Sequence, residues 1–211
     1  MFYKSFKFKE ADLGVFSKNS SELKELFAPG CRIMGLTNGR FSLIDLINEI
    51  TKYTGQAHVV CATWSAGIKD ANQVKWLMNN NRLFSFKLIT DRSYKTRQKS
   101  YCLSIEELFG VENIRTSDLH AKFVLIHNDK YNFVVRSSMN LNANKTCETF
   151  EIDESKEVFD FYMNFVEHTY GTMPSGFTED RFIVGQSVNK YFGIKDEKED
   201  FSIDLNFDFN F

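Results

Sequence analysis

Apolar positions along this chain recur in two periods, and the two alternate. Residues 31–36 and 58–64 (HVVCATW) are short apolar runs of strand length, the second rich in β-branched side chains. Between them, residues 42–53 place apolar side chains at helical spacing, and Ser42 with Asp45 predicts a capping box at the helix start. The helical period returns at 70–78, a strand follows at 85–90, and a helix is predicted at 104–109, where Ser104 and Glu107 read as a second capping box. Two further strands, 122–127 and 131–137, are joined by the turn Asn128-Asp129, and 154–170 is the longest helical pattern. Strands separated by helices predict an α/β fold whose sheet is largely covered on both faces. No internal repeat is evident.

Two segments stand outside this alternation. Residues 90–100 (TDRSYKTRQKS) set Arg92, Lys95, Arg97 and Lys99 around Tyr94 with no apolar period, which predicts an exposed basic loop. Such a loop is either a solvated face or a nucleic-acid contact, with cations for phosphates and a tyrosine for base stacking. At the other end, residues 201–211 alternate Phe201, Ile203, Leu205, Phe207, Phe209 and Phe211 with polar side chains, a strict period of two. A strand with one apolar face needs a partner, and Phe2, Phe6 and Phe8 could supply one. The segment 201–211 is therefore expected to dock on its own sheet, on a dimer mate, or on another protein's sheet edge. The expected organisation is an N-terminal strand or extension over 1–30, the main α/β unit over 31–170, a C-terminal extension over 171–194, and an acidic, aromatic tail over 195–211.

Composition narrows the picture. The chain has 211 residues, 43% of them hydrophobic, which suffices for one sizeable core. It holds no apolar stretch of about 18 residues and no apolar amino-terminal core, so a membrane span and a secretory signal are not expected, and the location is expected to be cytoplasmic. Cys31, Cys61, Cys102 and Cys147 stand far apart with no CxxC pair, so reduced thiols and no metal site are expected. The formal net charge is only -2, yet residues 1–147 carry 21 Lys and Arg against 13 Asp and Glu, while 148–211 carry 5 against 15. Either folding mixes the signs on one surface, or a basic body meets a polyanion that an acidic end can displace.

Candidate chemistry is concentrated between Leu119 and Glu151. His120 and Lys122, two apart at the mouth of a strand, share one face, and the returning strand ends in Ser137, Ser138 and Asn140. Imidazole, ammonium, hydroxyl and amide thus converge at one end of the sheet. That set suits a phosphate: Lys122 brings charge, Ser138 and Asn140 bring hydrogen bonds, and His120 can attack phosphorus or transfer a proton.

These residues resemble the phospholipase D superfamily, whose signature is HxKxxxxD followed by GSxN and a downstream glutamate. His120-Ala121-Lys122 matches HxK, Ser138-Met139-Asn140 matches SxN, and Glu148 occupies the place of the downstream acid. The likeness covers roughly residues 31–152. It departs where His127 replaces the motif aspartate, where Ser137 replaces the motif glycine, and in a His120-to-Ser138 spacing about three residues longer than usual. The resemblance implies a mixed β-sheet flanked by helices on both faces and a catalytic centre made of two motif copies. Of the four histidines, His120 is the one followed two residues on by a lysine, so a homodimer is implied. It further implies a metal-independent phosphodiesterase without cofactor. In it one His120 forms a phosphohistidine, a second protonates the leaving oxygen, Lys122 and Asn140 hold the nonbridging oxygens, and Glu148 orients a His120 ring. Size and the basic segment point to a nuclease acting on DNA in preference to RNA.

Two other functions compete: a catalytically impaired member of the same fold that only binds nucleic acid, and a phospholipid hydrolase, disfavoured because no amphipathic membrane helix is evident. Several residues have plainer readings. His127 reads as a hairpin-tip residue, Asn142 and Asn144 as turn formers, and Trp64 and Trp76 as core or helix-packing residues. Gly35 and Gly39 do not fit a phosphate-binding glycine loop. The acidic, Phe-ended tail also resembles the tails of some single-stranded DNA-binding proteins, which compete with DNA for a basic groove.

Overall fold

In the computed structural model, which describes residues 12–15, 20–143 and 145–194, these patterns assemble into one eight-stranded mixed sheet. Its strands are β1 (Asp12–Val15), β2 (Arg32–Leu36), β3 (Ala57–Thr63), β4 (Leu83–Asp91), β5 (Ile114–Ser117), β6 (Phe123–His127), β7 (Asn132–Ser137) and β8 (Thr149–Glu154), in the order β1-β2-β8-β7-β6-β3-β4-β5. β3, β4 and β5 run parallel, as do β1 and β2, whereas β2, β8, β7, β6 and β3 pair antiparallel. The predicted hairpin is present, and Asn128 closes it by accepting the backbone N–H groups of Lys130 and Tyr131 on its side-chain oxygen at 3.0 and 3.1 Å.

Two-sided burial explains why the central strands read as unbroken apolar runs. Val59 and Cys61 of β3, with Val124 and Ile126 of β6, face one side. There they meet α1 (Leu43–Thr54), α2 (Ile68–Asn79) and α4 (Lys99–Phe109) through residues such as Leu46, Ile50, Val74 and Ile105. Val60, Ala62, Phe123 and Leu125 face the other side and pack against Val158, Phe159 and Val166 of α5 (Lys156–Thr172). A further helix, α6 (Arg181–Phe192), packs on α5 and β5. The start of α1 follows the sequence pattern: Asp45 Oδ2 accepts from the Ser42 N–H at 2.8 Å and the Ser42 hydroxyl at 2.9 Å.

Three expectations are corrected. Residues 90–100 are not an exposed loop. Thr90 and Asp91 finish β4, Ser93–Arg97 forms the short helix α3, and α4 already begins at Lys99. Tyr94 is wholly buried, its hydroxyl donating to the Ala66 carbonyl at 2.7 Å and its ring lying 5.3 Å from that of Phe177. A single aromatic anchor carries no period, so nothing in the pattern announces it. Secondly, Ser104 does not cap a helix, because α4 starts five residues earlier to bring Cys102, Ile105 and Phe109 onto the core. Thirdly, Trp76 is 60% exposed on α2 and does not pack in the core. The segment 201–211 and Phe2, Phe6 and Phe8 lie outside the described residues. Among the described residues no helix is long and apolar enough to cross a membrane.

The anchoring of the basic segment is measurable. Tyr94→Ala should cost about 3–5 kcal/mol as a large-to-small core change. Tyr94→Phe should cost about 1–2 kcal/mol, since it leaves the Ala66 carbonyl without its donor. Urea unfolding reads both, and a Tyr94→Ala midpoint equal to wild type would contradict the burial.

Candidate active site

The polar groups of this fold collect where strands end, because two-sided burial leaves them no room along β3 and β6. His120 and Lys122 lie in the connection between β5 and β6, just before the first residue of β6. The Lys122 ammonium donates to the His120 carbonyl at 2.8 Å and stands 3.4 Å from His120 Nδ1. Register carries the second half of the motif to the same place: Phe123 pairs with Arg136, and the Ser137 N–H donates to the Lys122 carbonyl at 3.1 Å. Ser138 and Asn140 follow at once.

Each of these residues is braced. The Ser138 hydroxyl bonds to a Glu148 carboxylate oxygen and accepts the Thr149 N–H at 3.0 Å, while its own N–H donates to the Thr149 carbonyl at 3.1 Å. Glu148 is held by its backbone: its N–H donates to the Thr37 hydroxyl at 3.1 Å and its carbonyl accepts the Thr37 N–H at 2.9 Å. The other Glu148 oxygen accepts from the Thr146 hydroxyl at 3.2 Å. Asn140 is steadied by Thr63, at the end of β3, whose hydroxyl lies 3.2 Å from Asn140 Oδ1 and accepts the Leu141 N–H at 3.2 Å. The Asn140 amide carries two N–H donors and can offer one to a phosphate oxygen. Asn140 and Glu148 line a cavity of about 50 Å³ with Phe41, Ser42, Met139 and Asn142. His120 and Ser138 themselves are exposed, so the site is an open surface. Partial burial pushes the Lys122 ammonium below the usual lysine range, and the Glu148 carboxylate partly offsets this.

Several contributors were not legible in the sequence. The buried Asp91 carboxylate accepts the Leu119 N–H at 3.3 Å, the Ser93 N–H at 2.9 Å and the Ser93 hydroxyl, and so fixes the residue before His120. Trp64 is not a core residue: its ring lies 5.6 Å from that of His120, and the Arg97 guanidinium stacks over it at 3.6 Å. Ser137, in the place of the motif glycine, donates its hydroxyl to the Thr149 carbonyl at 2.7 Å and accepts the Met139 N–H at 3.0 Å. The usable signal was the polar end of the β3 run, Thr63-Trp64-Ser65.

The four basic candidates divide. Arg92 pairs with Asp118 at 3.1 Å, and Lys95 donates to the Phe177 carbonyl at 3.2 Å. Arg97 bonds to the Trp64 carbonyl and the Ser93 hydroxyl, both at 3.0 Å, and reaches the His120 neighbourhood through the Trp64 ring. Lys99 is exposed in the first turn of α4. His127 is at the other end of β6 from His120, so its replacement of the motif aspartate removes no group from this cluster.

No protein-family model and no curated protein matches the sequence. Solved structures do match. The chain is similar to NucT from Helicobacter pylori, with a TM-score of 0.53 and 16% identity over 69% of this chain and 98% of that one. It is also similar to Nuc from Salmonella typhimurium, described as a phospholipase D family member, with a TM-score of 0.50 and 10% identity over 70% of this chain and 98% of that one. At such identities the likeness concerns the fold.

Asp91→Ala should cost about 1.5–3 kcal/mol, the scale of hydrogen bonds to a charged group. It should also broaden or split the His120 ring signals in NMR spectra. Unchanged stability with unchanged His120 signals would mean that Asp91 holds nothing in place.

Proposed function

We propose that this chain, which has the fold of the phospholipase D superfamily, is a metal-independent phosphodiesterase, a nuclease that cleaves DNA in a homodimeric active site without any cofactor. One observation carries the reading: His120, Lys122, Ser138, Asn140 and Glu148, distant in sequence by up to 28 positions, stand together at one sheet end on that fold. His120 Nε2 attacks phosphorus, a P–N bond forms, and the leaving oxygen departs with a proton from His120 of the partner subunit. Water, deprotonated by that second imidazole, then attacks phosphorus and breaks the P–N bond, restoring both rings. Lys122 and the Asn140 amide stabilise the charge on the nonbridging oxygens. Glu148 holds the loop through Ser138 and orients a His120 ring. Exposure of His120 and Ser138 supports a site completed by a second copy across a two-fold axis.

DNA is supported over a lipid by the Trp64 ring beside His120 with Arg97 stacked on it, a surface suited to a base and its phosphate. Lys99 extends the cationic surface, and Arg92 and Lys95 serve mainly to hold it. The reading as a pure nucleic-acid binder loses force because His127 is remote from the cluster.

His120→Ala should lower cleavage of a DNA oligonucleotide, assayed with excess chelator, by at least about three orders of magnitude while leaving the unfolding midpoint in place. Full cleavage by the purified variant would sink the assignment, and cleavage of phospholipid vesicles but not DNA would move it to a lipid hydrolase. Mixing the variant into wild type should depress activity more than dilution does, and sedimentation should find the active species dimeric. Charged Lys122 is the form that acts. Since its folded pKa lies below that of a free lysine, kcat/KM should fall on the alkaline side at lower pH than an unperturbed lysine gives, and Lys122→Arg should move that limb upward. Replacing Arg97 and Lys99 together should weaken DNA binding and reduce the slope of log Kd against log salt by about one for each phosphate left unneutralised.

A further inference from the structure

A second cluster lies at the far end of the central strands, on the face that α5 covers. The ladder registers place His127 of β6 beside His58 of β3 and His58 beside Ser85 of β4, so three side chains form one row across the sheet. The two imidazoles lie 5.2 Å apart, nearly parallel at 30°, and His58 Nδ1 is 2.8 Å from the Ser85 hydroxyl. Lys87, two residues along β4 on the same face, carries its ammonium 4.7 Å from the centre of the Tyr170 ring. These groups border an open cavity of about 580 Å³, whose α5 wall is Met163, Val166, Glu167 and Tyr170.

The basic side chains of this cavity, Lys87, His58 and His127, have no ion-pair partner among the described residues, and Glu167, the acid on the rim, is exposed on α5. Tyr170 is engaged as a donor to backbone carbonyls at 2.7 and 3.2 Å and contributes a ring face. Burial first, and then the neighbouring His58 and Lys87, pushes the His127 imidazole below its ordinary pKa, which favours its neutral form. The Lys87 ammonium, an N–H of His127 and the one donor left free by the hydrogen-bonded His58–Ser85 pair border one cavity, a donor set for a dianionic oxyanion. The aromatic and aliphatic wall gives room for an attached organic group, and the volume falls in the range of small-molecule sites, about 300–1,000 Å³.

We propose that this cavity is a second phosphate-binding site, separate from the His120 cluster, that takes a phosphomonoester of nucleotide size with its phosphate on His58, His127 and Lys87. The inference does not depend on the proposed phosphodiesterase activity. β6 alone separates His127 from the His120 end of the sheet by about 13 Å at the rise of a β-strand. The phosphate sits where the row of imidazoles meets Lys87, and the ring or chain it carries lies along Tyr170 and Met163.

The test uses the full-length chain with Lys122→Ala and Asn140→Ala, which disable the first site, and two probes, inorganic phosphate and a 5′-nucleoside monophosphate. The imidazole signals of His58 and His127 should shift saturably with either probe, and the nucleotide should bind at least about threefold tighter than phosphate if the wall contributes. Lys87→Met should weaken both by about tenfold, which corresponds to about 1.4 kcal/mol for one charge-assisted hydrogen bond. His58→Gln, at an exposed position that leaves the core intact, should weaken both by a similar factor. Equal phosphate and nucleotide affinities would show a phosphate site without the organic subsite and would overturn the monophosphate assignment. No saturable shift, the same shift with equal ionic strength of chloride, or unchanged affinity in both variants would overturn the site itself. DNA cleavage by the wild type is read separately, so either conclusion can fail without the other.

Discussion

The two-sided burial of β3 and β6 governs where chemistry can occur in this protein. Val59, Cys61, Val124 and Ile126 are covered by one helical layer, and Val60, Ala62, Phe123 and Leu125 by the other. A polar side chain placed along either strand would lose its water with nothing to replace it, at a cost of a few kcal/mol. Polar groups are therefore driven to the ends. At one end stand Thr63, Lys122, Ser137 and Ser138; at the other stand His58, Ser85 and His127.

The end that holds His120 is exposed, yet backbone groups tie its segments together. Ser137 binds the Lys122 carbonyl, Ser138 binds Thr149 twice, and Glu148 binds Thr37 twice. Side chains add further cross-links: Thr63 to Asn140, Ser138 to Glu148, and Asp91 to Leu119. A phosphate-handling site must present donors in fixed positions before the substrate arrives, because donors that reorganise during the reaction stabilise the transition state less. Ser137 illustrates how a departure from a motif can be neutral. Its hydroxyl bonds the Met139 N–H and the Thr149 carbonyl, and its backbone lies outside the positive-φ region that favours glycine, so the position takes a side chain without strain.

What the amino-acid pattern conveyed followed from burial. Both-face burial makes β3, β4, β6 and β7 visible as apolar runs, and the HxK and SxN pairs are legible because they sit at the ends of such runs. The features that escaped are those without a period. Tyr94 anchors a cationic stretch through one hydroxyl and one ring, so charge composition suggested a loop where two helices stand. β8 is masked by its acids, since Asp153 is buried against Arg32 and Arg136 instead of facing water. The pairings of Asp91 with Leu119, Thr37 with Glu148 and Thr63 with Leu141 each span more than 25 positions, which no local spacing reveals.

The same constraint separates the two ends chemically. At the His120 end, a carboxylate, hydroxyls and an amide balance one imidazole and one ammonium, so Lys122 is tempered by Glu148 and the cluster is suited to charge that appears only in a transition state. At the His127 end two imidazoles and Lys87 stand together with no carboxylate of the described residues ion-paired to them, and burial, then His58 and Lys87, lowers the basicity of His127. A cluster of ammonium and imidazole donors with no ion-paired carboxylate gains from a bound anion. An open groove on α5 that leaves such a cluster accessible is explained by occupancy more readily than by stability, because burying this end under α5 with apolar residues would have cost less.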